Sequence, residues 1–290
     1  MNVLVACFVY PLIKDFLNEF FKSIEIQSYR DFDFLIFEDG FEGDYSSLDF
    51  KKIVMKNDNN LSIPGARKHV INYAVSKNYD LLVFCDSDDV MGENRIESIV
   101  RVHSENKDKH GFYYNNLYLL DSREDVFKGK LPEEVADYSD LEDYNFLGMS
   151  HTALNIYLTK KIWEELPIND QIIAFDWYIH SYLLIKGFKG KKVDSITYYR
   201  IYDRNTAGLP DSLNEISLKQ GIQVKLIHYK MMSGLDNKFK EKEENIKQLK
   251  EYLENSPKRI ENYVQNVCEN RTNFIYWWQN IRLPEEYLND

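Results

Sequence analysis

The chain is poor in cysteine, has no long apolar run and carries a deficit of positive charge. Its three cysteines, Cys7, Cys85 and Cys268, stand at no metal-binding spacing. Cys7 and Cys85 lie in apolar runs, which favours reduced core residues over a disulfide framework. No apolar stretch approaches the ~20 residues of a spanning helix, and the N-terminus has no basic start or cleavage signal. We therefore expect a cytoplasmic protein, and leave open a peripheral contact with the inner face of a membrane.

The charge balance restricts the partners of the chain. The formal net charge is −11, from 47 acidic and 36 basic residues. A general nucleic-acid binder needs a basic surface, so this class is excluded. A nucleotide ligand remains possible, because a bound metal ion can supply local positive charge.

Short apolar segments alternate with amphipathic ones in the first two hundred residues. Residues 2–9, 32–37 and 80–85 predict buried strands. Residues 13–28 have helical spacing, and Pro64 is suited to the first turn of a helix. The alternation predicts an α/β fold with a mostly parallel central sheet.

The second half of the chain differs in its pattern of charged residues, which become dense after about residue 211. A strand is predicted over residues 151–158, followed by a short helix over 159–165 with Thr159 as N-cap. Three densely charged helices are predicted over 211–232, 237–254 and 257–279. The expected division is therefore an α/β domain at 1–210 and a helical region at 211–290.

The strongest local signal is the segment Phe84-Cys85-Asp86-Ser87-Asp88-Asp89. Clustered carboxylates at the end of a buried strand repel one another unless a cation offsets their charge. Ligands of open α/β sheets bind at the carboxyl ends of the strands. A divalent cation held by these aspartates and by substrate phosphates fits that location. The alternative is a solvated turn that caps the next helix.

The order of several segments resembles family 2 glycosyltransferases of GT-A fold. The segments are an apolar first strand, Glu38-Asp39-Gly40, the stretch from Asn60 to Arg67, and the acidic motif at 84–89. The resemblance covers roughly residues 1–208. It implies a GT-A Rossmann-like α/β/α sandwich, to which the C-terminal helices would be appended.

The resemblance also implies roles for single residues. Asp39 would contact the nucleotide base, and Arg67 would lie near the nucleotide. Asp86 would lie near the ribose and the metal, Asp88 would bind the metal at the diphosphate, and Asp89 would support it. The implied ion is Mn²⁺ or Mg²⁺. The chain departs from the family pattern at Phe41 and Lys68, where Ser and Asn are usual.

A second group of candidates lies downstream. The resemblance implies that Asp176, at a predicted helix start, is the general base that takes a proton from the acceptor hydroxyl. A helix N-terminus stabilises its anion, so burial would have to raise its pKa. Arg200 and Arg204 lie in a segment similar to a family loop that closes over the diphosphate, and could bind phosphate. Tyr202 stands where the family often has histidine. His151 and His180 are interpreted as structural.

Two tryptophans near the C-terminus, Trp277 and Trp278, allow two interpretations. With the neighbouring Tyr276, Arg271 and Arg282 they could form a membrane-interface patch. The alternative is a packing contact between the last helix and the α/β domain.

The resemblance implies an inverting, metal-dependent hexosyltransferase. Its donor would be a nucleoside diphosphate sugar, with UDP- and dTDP-sugars as first candidates. Its acceptor would be a glycan or a lipid-linked hydroxyl, in the synthesis of a cell-surface polysaccharide. Two alternatives stay open: a metal-dependent nucleotidyltransferase, and a non-catalytic nucleotide- or sugar-binding module. The first is disfavoured because Tyr10-Pro11-Leu12-Ile13-Lys14 is not a Gly-rich basic loop.

Overall fold

The computed structural model describes residues 1–202, 205, 207–209, 211–270 and 273–283. Its strands form one nine-stranded sheet. They are β1 Val3–Val9, β2 Asp33–Glu38, β3 Lys52–Lys56, β4 Leu81–Phe84, β5 Val90–Met91, β6 Phe112–Leu119, β7 Glu134–Val135, β8 Thr152–Asn155 and β9 Gly190–Tyr199.

The strand order is β3-β2-β1-β4-β8-β6-β9-β5, with β7 also paired to β9. The strands β3, β2, β1 and β4 are parallel neighbours, and so are β6 and β9. Antiparallel pairing joins β8 to both β4 and β6. The predicted α/β fold is confirmed. The central strands are buried on both faces, which accounts for their continuous apolar runs.

Helices cover both faces of the sheet and follow it at the C-terminal end. They are α1 Leu17–Glu25, α2 Ile63–Ser76, α3 Arg95–Glu105, α4 Ile156–Thr159, α5 Phe175–Ile185, α6 Glu215–Ser233, α7 Phe239–Glu254 and α8 Pro257–Glu269. The start of α2 agrees with the sequence: Pro64 lies in its first turn, and the Ser62 hydroxyl accepts a hydrogen bond from the Gly65 amide at 3.2 Å.

The predicted N-cap at Thr159 is wrong. The strand ends at Asn155, whose side chain accepts a hydrogen bond from the Leu158 amide at 3.0 Å and begins α4 four residues earlier. The Thr159 hydroxyl instead donates to the Asn155 carbonyl at 2.6 Å and accepts from Trp163 Nε1 at 2.9 Å. Asparagine is an effective cap, and here it acts before the threonine is reached.

The last predicted helix is shorter than expected. It ends at Glu269, and residues 273–283 run back across the α/β domain. The main chains of Asn145 and Trp277 exchange hydrogen bonds of 3.1 and 3.0 Å, and the Tyr276 hydroxyl donates to the Lys130 carbonyl at 2.7 Å. Trp277 and Trp278 are buried, as the packing interpretation expects. We call residues 273–283 the return segment.

One hydrophobic cluster contains residues from both sides of position 210, including Trp177 of α5, Ile222 of α6 and Trp278. The helical region therefore packs into the same core as the sheet, and the division at 210/211 stays a prediction. Across the described ranges, no helix combines the length and apolar character needed to cross a membrane.

Candidate active site

A cavity of about 720 Å³ lies at the edge of the sheet where β1, β2 and β4 end. This is the edge at which open α/β sheets bind their ligands. The cavity brings together six of the residues singled out from the sequence: Asp39, Arg67, Asp86, Asp88, Asp89 and Asp176. Arg200 is not among the lining residues, and Arg204 lies outside the described residues.

The strand order arranges the lining residues in a row. Asp39 follows β2, Tyr10 follows β1, and the acidic motif follows β4. Because β8 is antiparallel to β4, its first residues lie at the same edge, and His151 comes directly before it. Tyr199 ends β9 beyond them. The cavity thus has a β2–β1 end, a middle at β4, and a β8–β9 end.

Asp86 occupies the middle of the cavity beside a cation. Its carboxylate lies 3.6 Å from the Arg67 guanidinium. Burial raises the pKa of Asp86 to about 6; the nearby Asp88 and Asp176 carboxylates also raise it, while Arg67 lowers it. The site therefore holds more negative charge than its one ion pair neutralises, and it favours a further cation.

Asp88 is held by the loop that follows β9. Its carboxylate accepts a hydrogen bond of 2.7 Å from the Tyr202 hydroxyl, which lies 3.5 Å from the Tyr10 hydroxyl. Burial, together with the Asp88 charge, raises the pKa of Tyr10 to about 12. Both tyrosines are therefore neutral at physiological pH, and Tyr202 is a hydrogen-bond donor to Asp88.

Asp89 is the most buried of the three aspartates, with 3% exposure. One carboxylate oxygen accepts a hydrogen bond of 2.9 Å from the Arg200 amide, while the other is buried and has no hydrogen-bond partner among the described residues. Burial and the charges of Asp88 and Asp86 raise its pKa. Asp89 thus fixes the end of β9 against the acidic motif.

No three His, Cys, Asp or Glu side chains within the described residues converge into a metal site. The excess of carboxylate charge at Asp86 and Asp88, and the unpartnered oxygen of Asp89, nevertheless suit a hard cation. Mg²⁺ and Mn²⁺ are commonly bound by one or two carboxylates together with substrate phosphates and water. The residues therefore fit a metal that arrives with a diphosphate, for which Asp88 and Asp86 would be the protein ligands.

Asp176 lies in the first turn of α5 and lines the same cavity. Burial raises its pKa, although Arg67 and backbone amides, among them those of Trp177 and Met149, act in the opposite direction. The Trp177 amide donates to the carboxylate at 2.7 Å. Burial outweighs the helix N-terminus, so Asp176 is a stronger base than an exposed carboxylate at a helix start.

Asp39 is fixed at the β2–β1 end of the cavity by Asn57. The Asn57 amide donates to its carboxylate at 2.8 Å, and the Asn57 carbonyl oxygen accepts from the Leu61 amide at 2.8 Å. The hydrogen bonds tie the loop before α2 to the end of β2. Sequence reasoning missed Asn57, whose only signal is its place three residues before the Asn60 motif.

Arg200 is engaged outside the cavity. Its guanidinium binds the Glu19 carboxylate at 2.5 Å, lies 4.4 Å from the centre of the Phe16 ring, and donates to the Asp88 carbonyl at 2.8 Å. These contacts anchor the start of the loop after β9 onto α1 and the acidic motif. A phosphate contact by Arg200, which stays a prediction, would require it to leave Glu19.

Both histidines near Asp176 are structural in their contacts. His151 donates from Nε2 to the Phe146 carbonyl at 2.9 Å, and burial lowers its pKa to about 3. His180 donates from Nδ1 to the Asp176 carbonyl at 2.8 Å, and burial lowers its pKa to about 4. Both rings are therefore neutral at physiological pH.

The return segment contributes a wall that the sequence did not predict. Trp277 and Trp278 line the cavity together with Gly148 and Met149. Trp277 Nε1 donates to the Gly208 carbonyl at 3.2 Å, which connects this wall to the loop after β9. The sequence analysis singled out the two tryptophans but did not place them at the cavity, because these contacts depend on where the chain returns and not on local pattern.

Comparisons with solved structures support the fold. TarS of S. aureus, residues 1–349 in complex with UDP-GlcNAc, matches with a TM-score of 0.54 and 13% identity over 81% of this chain and 68% of that one. The longer TarS structure matches at 0.53 and 12%, over 81% and 40%. The mannosyltransferase PcManGT from Pyrobaculum calidifontis, in complex with GDP-Man and Mn²⁺, matches at 0.53 and 12%, over 80% and 63%. At these identities the likeness is one of fold.

The chain spans about two thirds or less of most of these structures. No curated protein matches it. The family model described as glycosyl transferase family 2 matches residues 3–114, which include Asp39, Arg67 and the acidic motif. Over these residues the chain matches that family model, and the resemblance and GT-A fold inferred from its motifs are confirmed.

Proposed function

We propose that the protein is an inverting glycosyltransferase that moves a sugar from a nucleoside diphosphate sugar to an acceptor hydroxyl. The supporting observation is that Asp39, Arg67, Asp86, Asp88 and Asp176 all line one cavity at the carboxyl edge of the sheet. A nucleotide site, a diphosphate site and a general base would thereby lie within a single cavity, which supports the proposal.

The nucleoside would lie at the β2–β1 end, where Asp39 is held by Asn57. UDP- and dTDP-sugars are the first candidates. The diphosphate would lie at β4, with Arg67 contributing positive charge beside Asp86. A bound Mn²⁺ or Mg²⁺ would neutralise the departing diphosphate, with Asp88 and Asp86 as its protein ligands.

Asp176 would act on the acceptor in one displacement. It takes the proton of the acceptor hydroxyl as that oxygen forms its bond to the anomeric carbon. The bond from that carbon to the diphosphate oxygen breaks at the same time, and the nucleoside diphosphate leaves. The raised pKa of Asp176 supports this role, because a more basic carboxylate accepts the proton more readily.

The acceptor class is proposed as a glycan or a lipid-linked sugar of a cell-surface polysaccharide. With a lipid-linked acceptor, the reaction would take place on the cytoplasmic side of a membrane with which the protein makes peripheral contact. A hexose is the proposed transferred group.

The test is thermal unfolding with UDP, dTDP, GDP and CMP, each with Mn²⁺ and with EDTA. A ligand that binds only the native state stabilises it by mass action and so raises the melting temperature. At 100 times its Kd, such a ligand adds about 2.7 kcal/mol to the free energy of unfolding. We expect one nucleoside diphosphate to stabilise the protein, and to do so only with metal. Asp88→Ala should abolish the metal-dependent part, while Asp194→Ala, an exposed aspartate on β9, should keep it.

Stabilisation by no nucleotide would contradict the proposal and would leave a sugar-binding module as the better explanation. UTP, dTTP, GTP and CTP are measured in the same way, and stronger stabilisation by a triphosphate than by its diphosphate would instead favour a nucleotidyltransferase. A non-catalytic binding module is distinguished by measuring turnover, because it would bind the nucleotide sugar without releasing nucleoside diphosphate.

A further inference from the structure

The β8–β9 end of the cavity has a composition unlike the rest of it. Its described lining includes Leu117, Gly148, Met149, Trp277 and Trp278, together with the polar Ser150 and Tyr199. His151 lies there too and is neutral, because burial holds its pKa near 3. The charged groups nearest to this end are the carboxyls of Asp89 and Asp176, and Arg67 is the arginine among the described lining residues of the whole cavity.

This end adjoins the proposed base. Asp176 and Met149 are close enough for the Met149 amide to lower the pKa of the Asp176 carboxyl. A group placed against Met149 and Trp277 therefore lies beside Asp176. The nucleotide half of the cavity lies on the other side, toward Asp39 and Tyr10.

The two tryptophans are fixed in place. Trp277 is held by its main-chain pairing with Asn145 and by its indole hydrogen bond to Gly208. Trp278 has a φ of +61°, a conformation that is rare for a bulky residue, and it stacks on Trp177 with ring centres 5.3 Å apart and an interplanar angle of 9°. Backbone strain of this kind is retained where surrounding contacts fix it, and it is enriched at ligand sites.

Gly148 keeps space free beside Trp277. A Cβ at this position would lie 3.2 Å from Trp277 Cη2 and 3.3 Å from His151 Nδ1, tighter than ordinary contact. The backbone of Gly148, at φ −75° and ψ 153°, would accept any residue. The absence of a side chain here is thus a matter of space and not of backbone conformation.

We propose that Trp277, Trp278, Gly148 and Met149 form the acceptor subsite, which binds an uncharged pyranose ring beside Asp176. The proposal rests on the proposed function. The apolar C–H face of a pyranose packs on aromatic surfaces, and ligand sites commonly combine such surfaces with a few polar groups. An acidic sugar is disfavoured, since its carboxylate would face Asp89 and Asp176, and Arg67, the cation that acts on Asp176, is already paired with Asp86.

The test is saturation-transfer NMR with methyl β-D-glucopyranoside and methyl β-D-glucuronide, which differ in one carboxylate. Methyl β-D-galactopyranoside and methyl α-D-mannopyranoside are added because the neutral sugar is not specified. We expect at least one neutral pyranoside to bind, and the glucuronide to bind about tenfold more weakly or not at all. Binding should persist with saturating nucleoside diphosphate and Mn²⁺, since the two ligands occupy different ends of the cavity.

Gly148→Ala is the main variant, because it adds bulk without removing a contact. It should weaken pyranoside binding about tenfold, the effect expected when a close-packed pocket loses space. Its nucleotide-dependent rise in melting temperature should be unchanged. Gly234→Ala is the matched control: its Cβ would lie 3.4 Å from the nearest atom, in ordinary contact, and it is not among the cavity residues. Trp277→Ala is a second variant, accepted as folded only if it keeps the nucleotide response.

The outcomes are distinct. Binding of a neutral pyranoside that Gly148→Ala weakens, with the nucleotide response kept, supports the subsite. Failure of every neutral pyranoside to bind while a nucleotide binds overturns the subsite and leaves the proposed function standing. The subsite is also overturned if the nucleoside diphosphate displaces the neutral pyranoside or if the glucuronide binds equally well. It is likewise overturned if Gly148→Ala leaves pyranoside binding unchanged. If a pyranoside binds and Gly148→Ala weakens that binding, but no nucleotide stabilises the protein, the sugar site is supported and the proposed glycosyltransferase function is contradicted.

Discussion

The Tyr202 hydroxyl donates a 2.7 Å hydrogen bond to the carboxylate of Asp88, a residue 114 positions away in the chain. This bond joins the loop after β9 to the proposed metal ligand. A cation that binds Asp88 must share the carboxylate with this hydroxyl or displace it. The loop is therefore coupled to the occupancy of the acidic motif.

The Tyr202–Asp88 bond should be measurable as a coupling energy. In a double-mutant cycle of Tyr202→Phe and Asp88→Ala, we expect a coupling of about 1–2 kcal/mol in the free energy of unfolding, as for a hydrogen bond to a charged group. Urea unfolding without metal or nucleotide provides the measurement. Tyr157→Phe, at a half-exposed tyrosine, is the control. A coupling within about 0.3 kcal/mol of zero would show that the bond contributes nothing to stability in solution.

Asp176→Asn should abolish transfer and leave nucleotide binding intact. Loss of a general base typically lowers the rate by about 10²–10⁴-fold. The exposed Asp194→Asn should keep the wild-type rate. Release of nucleoside diphosphate in the presence of acceptor measures the rate, and the melting temperature with nucleotide measures binding. A variant that transfers at more than a tenth of the wild-type rate would exclude Asp176 as the base.

The wild-type rate should also fall at low pH. Burial raises the pKa of Asp176, so its basic form is lost at a higher pH than for an exposed aspartate. The profile of the transfer rate should show an acidic limb, and the residual rate of Asp176→Asn should lack it. An identical acidic limb in the variant would assign the titration to another group.

Asp86→Asn should stabilise the protein without ligands at neutral pH. The folded pKa of about 6 exceeds the unfolded value of 3.8, so the folded state binds protons more readily. Ionisation of Asp86 therefore lowers the free energy of unfolding as the pH rises from about 4 to 6. Above pH 6 the whole of this reduction is present. Since its side chain is 33% exposed, we expect a gain of only about 1 kcal/mol at pH 7.5. Urea unfolding at pH 4 and 7.5 tests this, and a larger gain at pH 4 would contradict it.

Lys225→Met should remove a pH dependence of stability that originates from a residue outside the cavity lining. Lys225 is 2% exposed and donates to the Ile281 carbonyl at 2.6 Å. Burial lowers its pKa from 10.5 to about 7, so the folded state binds fewer protons between these values. Wild-type stability should rise relative to the variant by about 3 kcal/mol between pH 7 and 10.

The exposed Lys230, on the same helix, offers the matched substitution Lys230→Met. The free energy of unfolding of the Lys230→Met variant should keep the wild-type dependence on pH between pH 7 and 10. If Lys225→Met also kept that dependence, Lys225 would be charged in the folded state throughout.

The parts of the site that could be predicted from sequence are those that local pattern determines. Asp86, Asp88 and Asp89 follow an apolar strand directly, and Pro64 marks the start of α2, so their positions follow from neighbouring residues alone. The engagement of Arg200 by Glu19 could not be predicted, because any exposed carboxylate near that loop would serve equally well.

The return segment is the larger omission. The periodic sequence of residues 257–279 favours a helix to residue 279, but the helix ends at Glu269, and beyond it Trp278 stacks on Trp177 while Trp277 pairs with Asn145. Tertiary contacts override a helical pattern where burial of side chains stabilises the fold more than further turns of helix would. The Thr159 error has the same origin at shorter range, since Asn155 and Thr159 are both competent caps.

The position of Trp277 also has a consequence for synthesis on the ribosome. Asp39, Arg67, Asp88 and Asp176 are all translated before the wall that Trp277 supplies, which follows Tyr202 by about 75 residues. At about 5–20 residues per second this interval is roughly 4–15 s. During that time the nascent chain lacks Trp277 and Trp278, so the proposed nucleotide half of the cavity can form before the β8–β9 end is complete. The proposed acceptor half would then be the last part of the cavity to form.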